Sequence, residues 1–341
     1  MNFELSDDQR DIKRTAREFL AARYPWDEVR RLALEEERGF TDAQWEEMAE
    51  LGWPELGDLG TVELILLAEE LGYAVAPTPL PSTWAAARLL AAAGQEGRLA
   101  AGRRGAVAQW EPGLRAPDAP ALAWADGSLS GVKVAVPDAA AADLLVVTAA
   151  GGRHVLVEAG ATGLSITRSE SLDTTRRLYQ VRLDGTPGEE LRGAGDWDAP
   201  WLAIAVANAA ESVGVAQRAM EMAVAYAKER TQFGRPIGSY QAVSHACAQM
   251  LLEVEGARAA VYWAAWALDH EPETAPVAAS MAKAYAADAG RRVTSAALQV
   301  HGGIGFTWEH DLHFLLKRAH ANARMYGDAA WHRGRVAALS L

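Results

Sequence analysis

The stretch YAKERTQFGRPIGSYQAV, Tyr226–Val243, reads as the end of one long helix, a polar break and the start of another. Upstream of it, WLAIAVANAAESVGVAQRAM carries an Ala-rich apolar stripe at helical spacing, and downstream the periodicity resumes without a β-branched run. Three runs result, 200–229, 240–268 and 276–300. Helices of about 25 to 30 residues span about 40 Å and bury their stripes against one another, so residues 195–341 are expected to form a four-helix-bundle-like domain.

Moving toward the N-terminus, the texture changes twice. Between 104 and 194, short β-branched runs alternate with Gly, Pro and Asp: GAVAQW, SGVKVAV, DLLVVTA, RHVLVEA, LSITRSE and LYQVRLDG. Their length and spacing predict strands of a middle antiparallel β-domain. Residues 1–103 return to helical periodicity. Ser6 ahead of Asp7, Asp8 and Gln9, and Thr41 or Asp42 ahead of Trp45 and Met48, mark helix starts; Gly52, Gly72 and Gly94 mark stops. The expected class is α+β: an N-terminal helical domain, a middle β-domain and a C-terminal helical domain.

Composition narrows the function. The chain has 341 residues, half of them hydrophobic, and a formal net charge of -12, which disfavours nonspecific nucleic-acid binding because phosphate contact needs a basic surface. One cysteine, Cys247, excludes an intrachain disulfide and a cysteine-rich metal site, so no metal is expected and a reducing cytoplasm is. The sequence shows neither a secretory leader nor a run near the roughly 20 apolar residues of a membrane span, and no membrane association is expected.

Two breaks between helices concentrate polar groups. In the first, Arg230 offers a planar fork of donors suited to phosphate or carboxylate, beside Thr231, Gln232, Phe233 and Gly234. In the second, QVHGGIGFTWEHDL, Gly302, Gly303 and Gly305 permit close backbone approach and Gln299 and His301 flank them. Ordinary solvated turns account for the same residues on composition alone.

The three-part order, with YAKERTQFGRPIGSYQAV and LQVHGGIGFTWEHDLHFLLKRA in sequence, resembles the acyl-CoA dehydrogenase family over essentially the whole chain. The segments FELSDDQRDIKRTAREFL and VELILLAEELGYAVAP look like that family too. The resemblance implies FAD held between subunits, an acyl-CoA substrate oxidised at Cα–Cβ, a carboxylate base, and an electron-transfer flavoprotein or similar acceptor. It assigns Arg230, Gln232, Phe233 and Gln241 of the first loop, and Gln299, Val300, Gly302 and Gly303 of the second, to the ADP half of a neighbouring subunit's FAD.

Elsewhere the family pattern is broken. AQWEPGLRAPDAP keeps Glu111-Pro112-Gly113 of a T-E-P-G-x-G-S-D segment but has Trp110 for the threonine and lacks Gly-Ser-Asp; SGVKVAVPDAAAADLLVV lacks the W-I-T-type flavin contact. LGWPELGDLGTVEL lacks a longer loop rich in proline and glycine. In HANARMYGDAAWHR, alignment on the glycine of a Tyr-Glu-Gly-Thr motif puts Tyr326 where the glutamate base stands and Asp328 at the threonine. A phenol with an ordinary pKa near 10 is a poor base at neutral pH. Asp328 and Glu211 are the weak carboxylate candidates, and no catalytic residue is assigned.

A chain that keeps what it contributes to a neighbour and loses what it would use itself is similar to the flavin-poor partner in the paired-subunit α2β2 acyl-CoA dehydrogenases of bacterial steroid side-chain degradation. The expected partner is a related subunit carrying the catalytic Glu, and the expected substrate a bulky, steroid-like CoA thioester. Two alternatives stay open: a self-sufficient homotetramer with an atypical base, and a flavin-free scaffold.

Overall fold

A computed structural model describes residues 4–55, 60–113, 120–193 and 197–341. Helices α1 (Asp7–Arg23), α2 (Trp26–Leu34), α3 (Asp42–Glu50), α4 (Thr61–Ala74) and α5 (Leu80–Ala92) precede the strands. Both anticipated starts are capping boxes. Ser6 Oγ accepts from the Gln9 amide at 3.2 Å while Gln9 returns its side-chain oxygen to the Ser6 amide, and Thr41, not Asp42, does the same with Gln44. The sequence reading missed α2, which is only nine residues long. Its last turn is completed from far away in sequence: buried Arg177 donates to the carbonyls of Leu32, Ala33, Glu36 and Glu37. A guanidinium there satisfies orphan carbonyls and meets the negative end of the helix dipole.

The strands are β1 (Gly105–Ala108), β2 (Ala123–Ala125), β3 (Ser128–Pro137), β4 (Leu144–Ala149), β5 (Arg153–Glu158), β6 (Leu164–Ser169), β7 (Leu178–Pro187) and β8 (Glu189–Leu191). They form two four-stranded sheets, ordered β1-β4-β5-β8 and β2-β3-β7-β6. Pairing is antiparallel except between β1 and β4, which run parallel with Gly105 opposite Leu144. The two short strands β2 and β8 carry too little pattern to read from sequence. Leu129, Val136, Leu145, Val147, Val155 and Val181 from both sheets share one apolar core. Lys133 lies fully buried there, donating to Glu111 Oε1 at 2.7 Å, Thr148 Oγ1 at 2.9 Å and the Gln109 carbonyl at 3.1 Å.

The long helices are α6 (Asp198–Glu229), α7 (Gln241–His270) and α8 (Ala275–His301), followed by α9 (Leu312–Asn322) and α10 (Ala329–Ser340). Short strands β9 (Thr231–Gln232) and β10 (Arg235–Pro236) make a small hairpin between α6 and α7. By packing, the chain forms two compact units: residues 1–29, 61–76 and 205–341, and residues 30–60 and 77–204. The helices before the strands are thus divided, α1 and α4 belonging with the bundle. Contrary to the hydropathy reading, α6 is long and apolar enough to cross a membrane, but most of its apolar window is buried in the fold.

Within the first unit, α4 crosses α6 at two glycines. A Cβ on Gly214 would stand 1.8 Å from the Glu69 backbone oxygen, and one on Gly72 2.0 Å from that of Glu211. The contact puts Glu69 and Glu70 inside. Lys13, Arg258 and Tyr262 bond Glu69 at 2.9, 3.1 and 2.8 Å, and although burial pushes its carboxyl up, the adjacent Lys13 and Arg258 bring it below the ordinary carboxylate range. Burial raises Glu70 above its ordinary value even with Arg17 on it. Gly214→Ala forces backbones apart and is expected to cost about 3 kcal/mol in thermal or urea unfolding. Gly334→Ala in α10, where an added Cβ meets nothing within 4 Å, is expected to be neutral or stabilising by up to about 1 kcal/mol.

Candidate functional site

The α6–α7 loop and the turn after α8 converge. Tyr226, one turn before Arg230, stacks on His301 at 4.7 Å between ring centroids, and His301 meets His310 edge-on at 4.6 Å. His301 is buried and bonded through Nδ1 to the Ala297 carbonyl at 2.8 Å; burial first, then the neighbouring His310, depress its pKa. It is a neutral spacer between helix ends, and no sequence signal joins it to a tyrosine so distant in the chain.

Around this stack the anticipated residues are presented outward. The side chains of Arg230, Gln232, Gln241 and Gln299 are exposed, and Val300 is half-buried beside them. Phe233 is 93% exposed with φ of 51°, a left-handed conformation uncommon outside glycine. The Arg230 backbone closes the loop, its carbonyl accepting from the Ile237 amide at 2.8 Å. Among the described residues its guanidinium has no protein partner, and the same holds for the side chains of Gln241 and Gln299. Gly302 ends α8 with φ of 61°, and a Cβ added to it or to Gly303 would meet nothing within 4 Å. Unengaged cationic and amide donors beside open backbone suit an anion with a flat polar ring system.

Ile304, Phe306 and Trp308 continue the exposed surface with apolar groups. Trp308 is covered on one face by Lys317 Nζ, 4.0 Å from the ring centroid.

The second set of anticipated residues is differently placed. Tyr326 has φ of 56° and Gly327 95°, so α9 and α10 are joined by a turn in which a Cβ at Gly327 would fall 2.6 Å from Trp331 and 2.9 Å from His332. Asp328 is the N-cap of α10: Oδ1 accepts from the Trp331 amide at 3.0 Å and Oδ2 from Arg324 at 3.2 Å. Glu211 is buried in an ion pair with buried Arg318. Lys283 nearby is also buried, donating to Asn208 Oδ1 and the Asn322 carbonyl, each at 2.7 Å. Both weak base candidates therefore already perform structural work.

In the β-unit, Trp110 gives its carbonyl to the Val134 amide at 2.8 Å, and the Glu111 carboxylate takes Lys133 together with the Ala121 and Leu122 amides. Ala135, with φ of 51°, sits in a register shift between Lys133 and Val136, where no hydroxyl or aromatic side chain is available. The missing Gly-Ser-Asp falls at 114–119 and the shortened loop at 56–59, both outside the described residues.

Comparison with known proteins gives the family. The family models "Acyl-CoA dehydrogenase, N-terminal domain" and "Acyl-CoA dehydrogenase, C-terminal domain" match residues 6–98 and 204–341. The chain is 32% identical over 333 residues to acyl-CoA dehydrogenase IpdE2 of Mycobacterium tuberculosis, covering 93% of each chain. It belongs to the acyl-CoA dehydrogenase family.

Two solved structures are similar to this acyl-CoA dehydrogenase chain along nearly its whole length. A variant of the Tcur3481-Tcur3483 steroid ACAD matches at TM-score 0.89 and 30% identity, covering 98% of each chain. The ChsE4-ChsE5 complex from Mycobacterium tuberculosis matches at TM-score 0.89 and 26% identity, covering 99% of this chain and 98% of that one.

Two outcomes follow at the α9–α10 turn. Asp328→Ala is expected to lower unfolding stability by about 1 kcal/mol, the worth of a helix cap, and to leave acyl-CoA dehydrogenase turnover unchanged. His332 is buried, bonds the Tyr326 carbonyl through Nε2 at 3.0 Å, and is pushed down to about 4 by burial, with Lys283 adding to the effect. Because the unfolded chain takes up that proton near pH 6.5 and the folded one does not, stability is full above pH 6.5. His332 is expected to contribute a fall of up to about 3 kcal/mol as pH drops toward 4, and His332→Gln should remove that part of the acid limb in pH-dependent melting.

Proposed function

We propose that this chain is the unequal subunit of a heteromeric, FAD-dependent acyl-CoA dehydrogenase, completing a partner's flavin site and leaving the base to that partner. The observation that carries the reading is a contrast in engagement. Arg230, Gln241 and Gln299 have polar side chains with no protein partner among the described residues, whereas Asp328 caps a helix and Glu211 is locked to Arg318.

Arg230, Gln232, Phe233, Gln241, Gln299, Val300, Gly302 and Gly303 are the groups that would hold the ADP half of FAD. Arg230 would neutralise pyrophosphate charge, the glutamines would donate to it or to the adenosine, and Phe233 would supply an apolar face. Bound FAD supplies a two-electron acceptor. Desaturation of a thioester also needs a group that removes the α-proton, and Tyr326, a phenol, is ill-matched to that task at neutral pH. Ala135 and Trp110 likewise offer no hydroxyl toward a flavin ring. A related subunit would fill both gaps, with a glutamate as base and its own flavin-ring contacts.

The substrate class follows the solved steroid ACAD: a CoA thioester of a bulky, steroid-derived acid. An electron-transfer flavoprotein or similar carrier would be the acceptor, and the assembly would work in the cytoplasm without nucleic-acid or membrane partners.

The test is to purify the chain alone and together with a related dehydrogenase subunit, then record flavin absorbance and acyl-CoA-dependent dye reduction. Flavin and activity only in the co-complex are expected; a yellow, active lone chain would sink the proposal, and a colourless co-complex would point to a scaffold. In the active complex, Arg230→Ala is expected to weaken FAD retention about tenfold or more, read as flavin lost on gel filtration. Unchanged occupancy would remove Arg230 from the site.

A further inference from the structure

Helices α1, α4 and α6, with the start of α2, border a pocket of about 290 Å³ lined by bundle-unit residues that include Arg17, Leu20, Trp26, Glu70, Tyr73 and Arg218. It lies one turn of α6 beyond the Gly214 crossing. Arg218 stands about 18 Å along the helix axis from Arg230. Nothing in the proposed flavin site draws on it.

The pocket's charges are unevenly committed. Glu70 is taken by Arg17, and Glu221 accepts from Tyr73 at 2.5 Å and from Gln217 at 2.8 Å. Arg17 sits over the Tyr73 ring, its guanidinium carbon 3.4 Å from the centroid. Arg218 donates to the Tyr73 hydroxyl at 2.9 Å and is held over two aromatic faces, 4.9 Å from the Tyr73 centroid and 5.6 Å from that of Trp26. Among the described residues no carboxylate pairs with it, and its other N–H groups have no protein acceptor.

We infer that this pocket binds a compact apolar monocarboxylate, its anion on Arg218 and its body against Trp26, Leu20 and Pro25. A planar guanidinium oriented by stacking loses little freedom when it grips a carboxylate in a bidentate pair, and a half-buried setting strengthens that pair relative to open solvent. The aliphatic and indole walls give the apolar body somewhere to go, as in small-ligand sites generally. A dianion or a polar sugar phosphate is disfavoured because Glu70 lines the pocket and Glu221 is bonded to the Tyr73 hydroxyl that Arg218 also meets.

Phenylacetate is a suitable probe, titrated against the full chain by calorimetry and by line broadening of its aromatic protons, with phenylacetamide as the uncharged match. Saturable binding of the acid, about tenfold tighter than of the amide, is expected. Arg218→Gln should abolish that preference and Arg218→Lys should keep part of it, each variant being checked for an unchanged melting profile. The acid–amide comparison needs no variant, so it stands even where a substitution unfolds the chain. Equal binding of acid and amide, binding that survives Arg218→Gln, or no saturable binding of phenylacetate overturns the proposal.

Discussion

The bundle unit depends on two helix backbones touching. Gly72 on α4 and Gly214 on α6 leave no room for a single methyl group at the crossing, and that contact turns the polar face of α4 inward. Glu69 and Glu70 then lie where water cannot reach them, which is tolerable only because Lys13, Arg17, Arg258 and Tyr262 arrive from α1 and α7 to meet them. The same crossing aims Tyr73 and Arg218 into one pocket and fixes the rotation of α6, hence the direction in which Arg230 leaves it.

Buried charge has a different role here from exposed charge. Lys133, Lys283, Glu211 and Arg318 each sit inside with hydrogen-bonded partners, and removing one partner would strand the other in a medium that solvates it poorly. These groups specify geometry. Arg230, Gln241 and Gln299 are solvated, without a protein partner among the described residues and displayed at helix ends, the arrangement expected of groups that wait for a ligand.

Much of the fold was legible. Long α6, α7 and α8 followed from unbroken 3.6-residue periodicity, two early helix starts from Ser6 ahead of Gln9 and from Thr41 or Asp42, and six of the strands from β-branched runs between turn residues. What escaped was short or completed from a distance: α2, whose end rests on Arg177, the three-residue strands β2 and β8, and the parallel β1–β4 pair. At the site, the loops could be picked out because Arg, Gln and clustered Gly interrupt strong helices. The Tyr226–His301 stack that joins them could not, since two aromatic residues far apart in the chain carry no local signal of contact.

The sequence by itself determined the family, the order of helical and β elements, and the presence of a phenol, Tyr326, beside Gly327, because these are matters of residue identity and local period. Only the tertiary structure decided what the remaining carboxylates do. Asp328 became a cap and Glu211 an ion-pair partner because α10 and Arg318 arrive beside them, and a side chain's chemistry is set by the neighbours that folding brings to it.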